Sequence, residues 1–159
     1  VHDDALRTIE AQVALLLRLS DRTRRSATRA EGELERSAYL VLGVLTAGGA
    51  TSVNAIAEAL RLDPSTVTRQ VLAMEQGGYV TRAADPADGR VTVVSATEAG
   101  RVAHDRTRAV RAQVYGEVLA AWPEGDRADL ARLLTRLNVD IDAWSHEHLA
   151  RWTTRAGRG

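Results

Sequence analysis

The run PSTVTRQ, residues 64–70, concentrates side chains that can read a polyanion. Ser65, Thr66, Thr68, Arg69 and Gln70 bring three hydroxyls, a guanidinium and an amide into adjacent positions. Hydroxyls and amides bond phosphate oxygens or base edges, and a guanidinium can take guanine O6 and N7 together. The run DPADGR, residues 85–90, adds Asp85, Asp88 and Arg90 in a stretch of turn-forming residues. Ser52 and Arg82 offer one more hydroxyl and one more guanidinium suited to phosphate.

Other chemistries find less support. The chain has no cysteine, which excludes thiol redox chemistry, disulfides and thiolate-bound zinc. His104, His146 and His148, with Asp142 and Glu147 nearby, invite a metal reading. Zinc needs three or four converging ligands, and neighbours such as His146, Glu147 and His148 diverge around a helix. The expected metal is therefore none. No phosphate-binding glycine loop, Gly-x-Ser-x-Gly elbow or HExxH occurs, so neither an enzyme nor a cofactor is expected. Trp122, Trp144 and Trp152 fall on helix stripes and read as core or subunit contacts. No apolar run approaches a membrane span and no secretory leader pattern opens the chain, so a cytoplasmic location is expected.

These residues need elements to hold them. Apolar spacing predicts helices over 4–28, with Leu6, Ile9, Val13, Leu16 and Leu17 on one face, and over 34–47. Ser52 reads as the N-cap of a short helix through Leu60. Asp63 followed by Pro64 starts the next helix, which Gly77 and Gly78 end. Val53, Ile56, Ala57, Leu60, Leu62, Val67, Val71 and Met74 should face inward, with Thr66, Thr68, Arg69 and Gln70 outward. A hairpin over 79–96 precedes long helices over 98–122 and 127–152, the first capped by Thr97 and the two separated by PEGD. The fold class expected is mainly α: a winged helix-turn-helix with a small β-hairpin wing and long terminal helices.

A helix-turn-helix needs a small residue at the crossing, a tight turn four positions on and an apolar residue six further. Ala57, Arg61 and Val67 fit, with Arg61 standing where glycine is usually favoured. The start of the second helix would itself attract phosphate. Charge alone names no partner, because the chain balances 21 basic residues, all arginine, against 21 acids. Nor is the central stretch basic. Residues 51–101 hold Arg61, Arg69, Arg82, Arg90 and Arg101 against Glu58, Asp63, Glu75, Asp85, Asp88 and Glu98. DNA binding would then depend on where the arginines point, and its salt dependence would be shallow.

Residues 37–100 resemble the multiple-antibiotic-resistance regulator (MarR) family of bacterial transcription factors. The resemblance rests on LRLDPSTVTRQVLAMEQGGYVTR at 60–82 and DPADGRVTVVSATEAG at 85–100. Asp85, Asp88, Arg90, Thr97 and Gly100 fit the family's pattern, and Ala96 stands where leucine is more frequent. The resemblance implies that Arg90 enters the minor groove, aimed by its neighbour Asp88, with Gly89 allowing a tight tip.

Together these residues predict a DNA-binding transcriptional regulator acting as a homodimer on a near-palindromic operator. Residues 33–97 form the DNA-binding domain, and 1–32 with 98–159 the helical dimerisation region. Groove contacts fall to Ser65, Thr66, Thr68, Arg69 and Gln70, and phosphate contacts to Ser52 and Arg82. The family further implies a repressor released by a small, often phenolic effector between the dimer helices and the DNA module. Arg18 and Tyr39 are candidates to line that cleft, although Tyr39 equally suits the core. Two alternatives stand beside this reading: a metal-responsive regulator of the same fold, and a helical protein-binding adaptor without DNA binding.

Overall fold

The computed structural model describes residues 2–27, 34–85 and 88–156, and the side chains among them except at 2–3, 21–27, 146 and 149–156. Pro86 and Ala87 of the hairpin tip, and the side chains of His146 and Trp152, lie outside the described residues. The chain divides into two compact units, Val1–Arg111 and Ala112–Gly159.

In the first unit, α1 (His2–Ala27) is followed by α2 (Arg36–Gly48), β1 (Thr51–Ser52), α3 (Val53–Leu60), α4 (Pro64–Gln76), β2 (Val80–Ala84) and β3 (Thr92–Ala96). The helix α5 (Glu98–Val118) begins in this unit, and α6 (Glu124–Ala156) lies in the second. The antiparallel sheet has the order β1-β3-β2, with Thr51 opposite Val94 and Arg82 opposite the same residue on the other side. The two-residue strand β1 escapes sequence reading because it is too short to show a period-two pattern.

The core gathers Leu34, Val41, Leu42, Leu45, Ile56, Ala57, Val67, Val71, Met74, Val80, Val94 and Ala96. Each large aliphatic side chain among them contributes about 1.5–3 kcal/mol by leaving water. The helical spacing of α2, α3 and α4 therefore converts directly into one interior. Leu62 departs from expectation and is exposed. It follows the last turn of α3, where the chain has left the helical face that the spacing described.

The turn between α3 and α4 is made by Arg61, whose φ of 52° and ψ of 43° are left-handed. Its N–H reaches the carbonyls of Ala57 and Glu58, and the Leu62 N–H bonds the Ala57 carbonyl at 2.9 Å. This conformation costs a residue with a Cβ about 1–2 kcal/mol. Ala57 and Val67, the other two motif positions, are buried as expected.

Gly100 explains part of the wing pattern. A Cβ there would run into the Tyr79 carbonyl oxygen and lie 3.0 Å from its carbon and 3.1 Å from Leu42 Cδ2. Thr97 locks the same joint. Its hydroxyl donates to the Gly78 carbonyl at 2.7 Å and accepts from the Gly100 N–H at 3.0 Å. The start of α5 is thus pressed onto the entry to β2, which fixes where the wing begins.

The terminal helices are apolar on exposed faces. In α1, Leu6, Ile9, Val13, Leu16 and Leu17 are all exposed. In the second unit, Val114, Val118, Leu133, Leu134, Ile141 and Trp144 are exposed as well. The helix α5 stops at Val118, four residues before the expected end, so Trp122 lies in a turn. Pro123 disfavours helical backbone at Trp122, and the last turn relaxes into bonds from Ala120 to Glu117 and from Trp122 to Leu119. The next helix starts at Glu124, inside the expected break, with Glu124 and Asp126 in its first turn. Among the described residues no helix is long and apolar enough to cross a membrane.

Candidate nucleic-acid interface

The N-terminus of α4 is occupied by its own cap. Asp63 accepts from the Ser65 N–H at 2.8 Å, and Pro64 takes the first helical position. The Ser65 hydroxyl, then its backbone N–H, hold the Asp63 carboxyl below its ordinary value, with smaller help from the Thr66 N–H and the Arg69 charge. The expected attraction of this helix end for phosphate is therefore already met by a carboxylate. Ser65 is exposed.

The remaining polar residues of α4 separate into two groups. Arg69 is exposed and has no hydrogen bond or contact ion pair among the described residues. Thr68 is exposed, and its hydroxyl donates to the Pro64 carbonyl at 2.8 Å, leaving lone pairs and a methyl outward. Thr66 is half-buried. Gln70 is also half-buried, with Oε1 buried and lacking a hydrogen-bond partner among the described residues, so it does not point outward as expected. A glutamine on the edge of the buried Val67 and Val71 face turns partly with that face.

Ser52 caps α3 as expected, accepting from the Ala55 N–H at 3.1 Å, and is half-buried at the end of β1. Arg82, expected on phosphate, is exposed and paired with Glu75. Its Nε lies 2.8 Å and its Nη2 2.7 Å from Glu75 Oε2, tying β2 to the last turn of α4.

At the wing tip the carboxylates organise backbone. Asp85 Oδ1 accepts from the Asp88 N–H at 3.3 Å, and Asp88 Oδ1 accepts from the Arg90 N–H at 3.0 Å. Main-chain bonds from Asp85 N–H to the Val91 carbonyl and from Val91 N–H to the Asp88 carbonyl close the loop. Asp88, expected to aim Arg90, thus holds its backbone. Short acidic side chains bond main-chain N–H groups two or three residues on more readily than they reach a flexible guanidinium. Arg90 is exposed. Gly89 is not left-handed and an added Cβ there would meet open space, so the tip does not need its glycine.

Tyr39 is half-buried in a stack that the sequence only partly disclosed. Its ring lies 4.7 Å from the His104 ring at 16°, and the Arg111 guanidinium carbon sits 4.3 Å above its centroid. Both partners project from α5, two turns apart. The seven-residue spacing of His104 and Arg111, which puts both on one helix face, was the available signal. His104 is buried, and its Nδ1 has no hydrogen bond but lies 3.5 Å from Asp105 Oδ1. Arg18 is exposed on α1, and no contact joins it to Tyr39 among the described residues. His148 stacks on Trp144 and its Nδ1 lies 2.9 Å from the Trp144 carbonyl. Among the described residues no three His, Asp or Glu are grouped to hold a metal ion.

These features have close counterparts. A family model described as MarR family matches residues 33–91, which take in α2, β1, α3, α4 and β2 and end before β3. The chain is 36% identical over 107 residues, 67% of its length and 75% of the relative's, to the uncharacterised HTH-type transcriptional regulator YxaD of Bacillus subtilis. A MarR family protein from Bacillus stearothermophilus superposes with a TM-score of 0.72 at 20% identity, over 89% of this chain and 97% of that one. Streptococcus pneumoniae FabT, solved in complex with DNA, superposes with a TM-score of 0.70 at 16% identity, over 87% of this chain and 97% of that one. The chain belongs to the MarR family of winged helix-turn-helix transcriptional regulators.

Proposed function

We propose that this chain is a homodimeric repressor that sets its two α4 helices into successive major grooves of a near-palindromic operator. The helices would then stand about 34–36 Å apart, one turn of the duplex. The observation that carries the reading is the exposure of Arg69 on α4 and of Arg90 at the wing tip, while Arg82 and Arg101 are held by Glu75 and Glu98. Arg90 enters the minor groove beside α4, where a narrow groove concentrates negative potential. Thr68, with its proton committed to the helix, meets the bases as an acceptor or through its methyl group. Asp88 serves this interface by fixing the backbone beneath Arg90.

Dimerisation covers the apolar faces that α1, α5 and α6 expose in a single chain. An aromatic effector carrying an acid group, such as a phenolic acid, suits the half-buried Tyr39 ring flanked by the Arg111 cation. Such a ligand releases DNA only by binding one spacing of the two α4 helices better than another. The location is the cytoplasm, where the DNA is.

The experiment is selection of bound sequences from a random duplex library, followed by anisotropy titration of the winning operator. Arg90→Ala should weaken binding roughly tenfold, the equivalent of about 1.4 kcal/mol, and leave the dimer intact. A mutant with full affinity, or a wild-type protein that enriches no palindrome, refutes the assignment. Phenolic acids that leave both the DNA complex and the melting temperature unmoved refute the effector.

A further inference from the structure

One face of α5 grips the winged module over about the first four turns of the helix. Thr97, Gly100, His104, Thr107 and Arg111 recur at steps of three and four, which aligns them along one side of the helix from its cap onward. Thr97 bonds the Gly78 carbonyl, and Gly100 lies against Tyr79. His104 stacks on Tyr39, and Arg111 stands over the same ring. Thr107 makes the longest tie in sequence. Its hydroxyl accepts from the Leu34 N–H at 3.2 Å, across 73 positions, and donates to the Ala103 carbonyl at 2.8 Å. The compact unit ends at Arg111, where this stripe ends.

Thr107 is fully buried, and valine would fill nearly the same volume without a hydroxyl. The hydroxyl is therefore there for its two bonds. The one to Ala103 stays within the helix. The one from Leu34 reaches the segment two residues before α2, where the chain enters the module. The module's exit is α5 itself. Both covalent connections of the module thus meet at one side chain. A module held only at Thr97 could swivel there; ties spread from Thr97 to Arg111, about 21 Å along the helix, remove that freedom.

We infer that Thr107 and Arg111 are positioning residues for DNA binding: they lock the module onto α5, so that pairing two chains fixes the separation of the two α4 helices. The inference rests on the dimeric DNA-binding reading above, and neither residue touches DNA in it. A rigid lock makes the dimer intolerant of half-sites at any other separation. A loose one lets the second module reach them, and lowers its effective concentration at the matched site.

The probes are the operator selected from the random library and two versions of it, with one central base pair inserted or removed. Each change displaces a half-site by about 3.4 Å and turns it by about 35°. The quantity measured is the ratio of affinities for matched and shifted duplexes, for the full chain and its Thr107→Val, Thr107→Ser and Arg111→Gln variants. Thr107→Val should melt a few degrees lower, because the Leu34 N–H loses its acceptor, and its ratio should fall about threefold or more. Thr107→Ser keeps the hydroxyl and should keep the parent's ratio. Arg111→Gln takes the cation off the Tyr39 ring and should lower the ratio as well. Destabilisation alone removes active protein equally from every duplex, so it leaves the ratio unmoved and is told apart from positioning. Thr107→Val with the parent's ratio overturns the inference, whatever its melting temperature, and so does a Thr107→Ser variant that loses the ratio. Arg111→Gln with the parent's ratio removes Arg111 from the lock, and overturns the whole inference if Thr107→Val does not fold. A parent protein that binds all three duplexes equally, or none of them, refutes the dimeric DNA-binding reading itself.

Discussion

The pairing of Arg82 with Glu75 yields a prediction in which two roles give opposite signs. Arg82 directs Nε and Nη2 onto one carboxylate oxygen at 2.8 and 2.7 Å, and both side chains are about one-third exposed, at 34% and 35%. Exposed ion pairs are worth about 0.2–1 kcal/mol, and two donors on one oxygen place this pair near the upper end. A double-mutant cycle of Glu75→Gln and Arg82→Gln, read by urea unfolding, should therefore give a coupling of about 1 kcal/mol. As a brace between α4 and β2, the pair fixes the angle at which the wing leaves the recognition helix. Either substitution should then weaken operator binding modestly and leave the salt slope as it was. If Arg82 is instead a phosphate contact, Glu75→Gln releases its guanidinium and binding tightens, while Arg82→Gln makes the slope shallower by about 0.9 per copy. A coupling near zero, together with tighter binding by Glu75→Gln, would refute the brace.

Gly100→Ala separates propensity from packing: helix propensity alone favours alanine by about 0.5–1 kcal/mol. The collision with the Tyr79 carbonyl and Leu42 instead predicts a loss of at least about 1–3 kcal/mol, and a variant melting at or above the parent would contradict the close approach of α5 and β2. Asp63 sets an acid-limb prediction. Its folded pKa lies below the ordinary value of 3.8, so its stabilisation is complete above that value and is lost as pH falls through the folded one. Urea unfolding from about pH 6 to pH 2 should show a flatter acid limb for Asp63→Asn than for the parent, and parallel limbs would exclude the cap as the cause.

Elements with local signals could be read from the residues, and features made by distant contacts could not. Asp63 and Pro64 announce the start of α4 because a cap and a fixed φ act within two residues. Thr97 announces α5 for the same reason, but its second bond, to Gly78, depends on a strand entry nineteen residues away. Gly100 matched a family pattern without a visible reason until the Tyr79 carbonyl stood against it. The strand β1 exists because β3 offers Val93 and Val94 as partners, which two residues cannot signal by themselves. At the candidate interface, the sequence shows which polar side chains are present and leaves their directions open. Asp88 reaches a main-chain N–H, Arg82 a carboxylate, and Gln70 partly the interior. Arg111 escaped notice since a cation over a ring requires two helices to be placed first.

The charge balance of the module gives these directions their weight. Two of its five arginines are cancelled by ion pairs with Glu75 and Glu98. By formal charge, the five arginines of residues 51–101 stand against six acids, so the net charge of the module does not draw in a polyanion. The three aspartates are turned to backbone N–H groups of their own cap and wing tip, which orients them without removing their charge. A single module should therefore hold DNA feebly. Linking two modules rigidly makes the second docking event intramolecular, which multiplies affinity without adding cations. The apolar faces exposed on α1, α5 and α6 are what such a linkage needs, and in this protein association would be the source of DNA affinity as much as of symmetry.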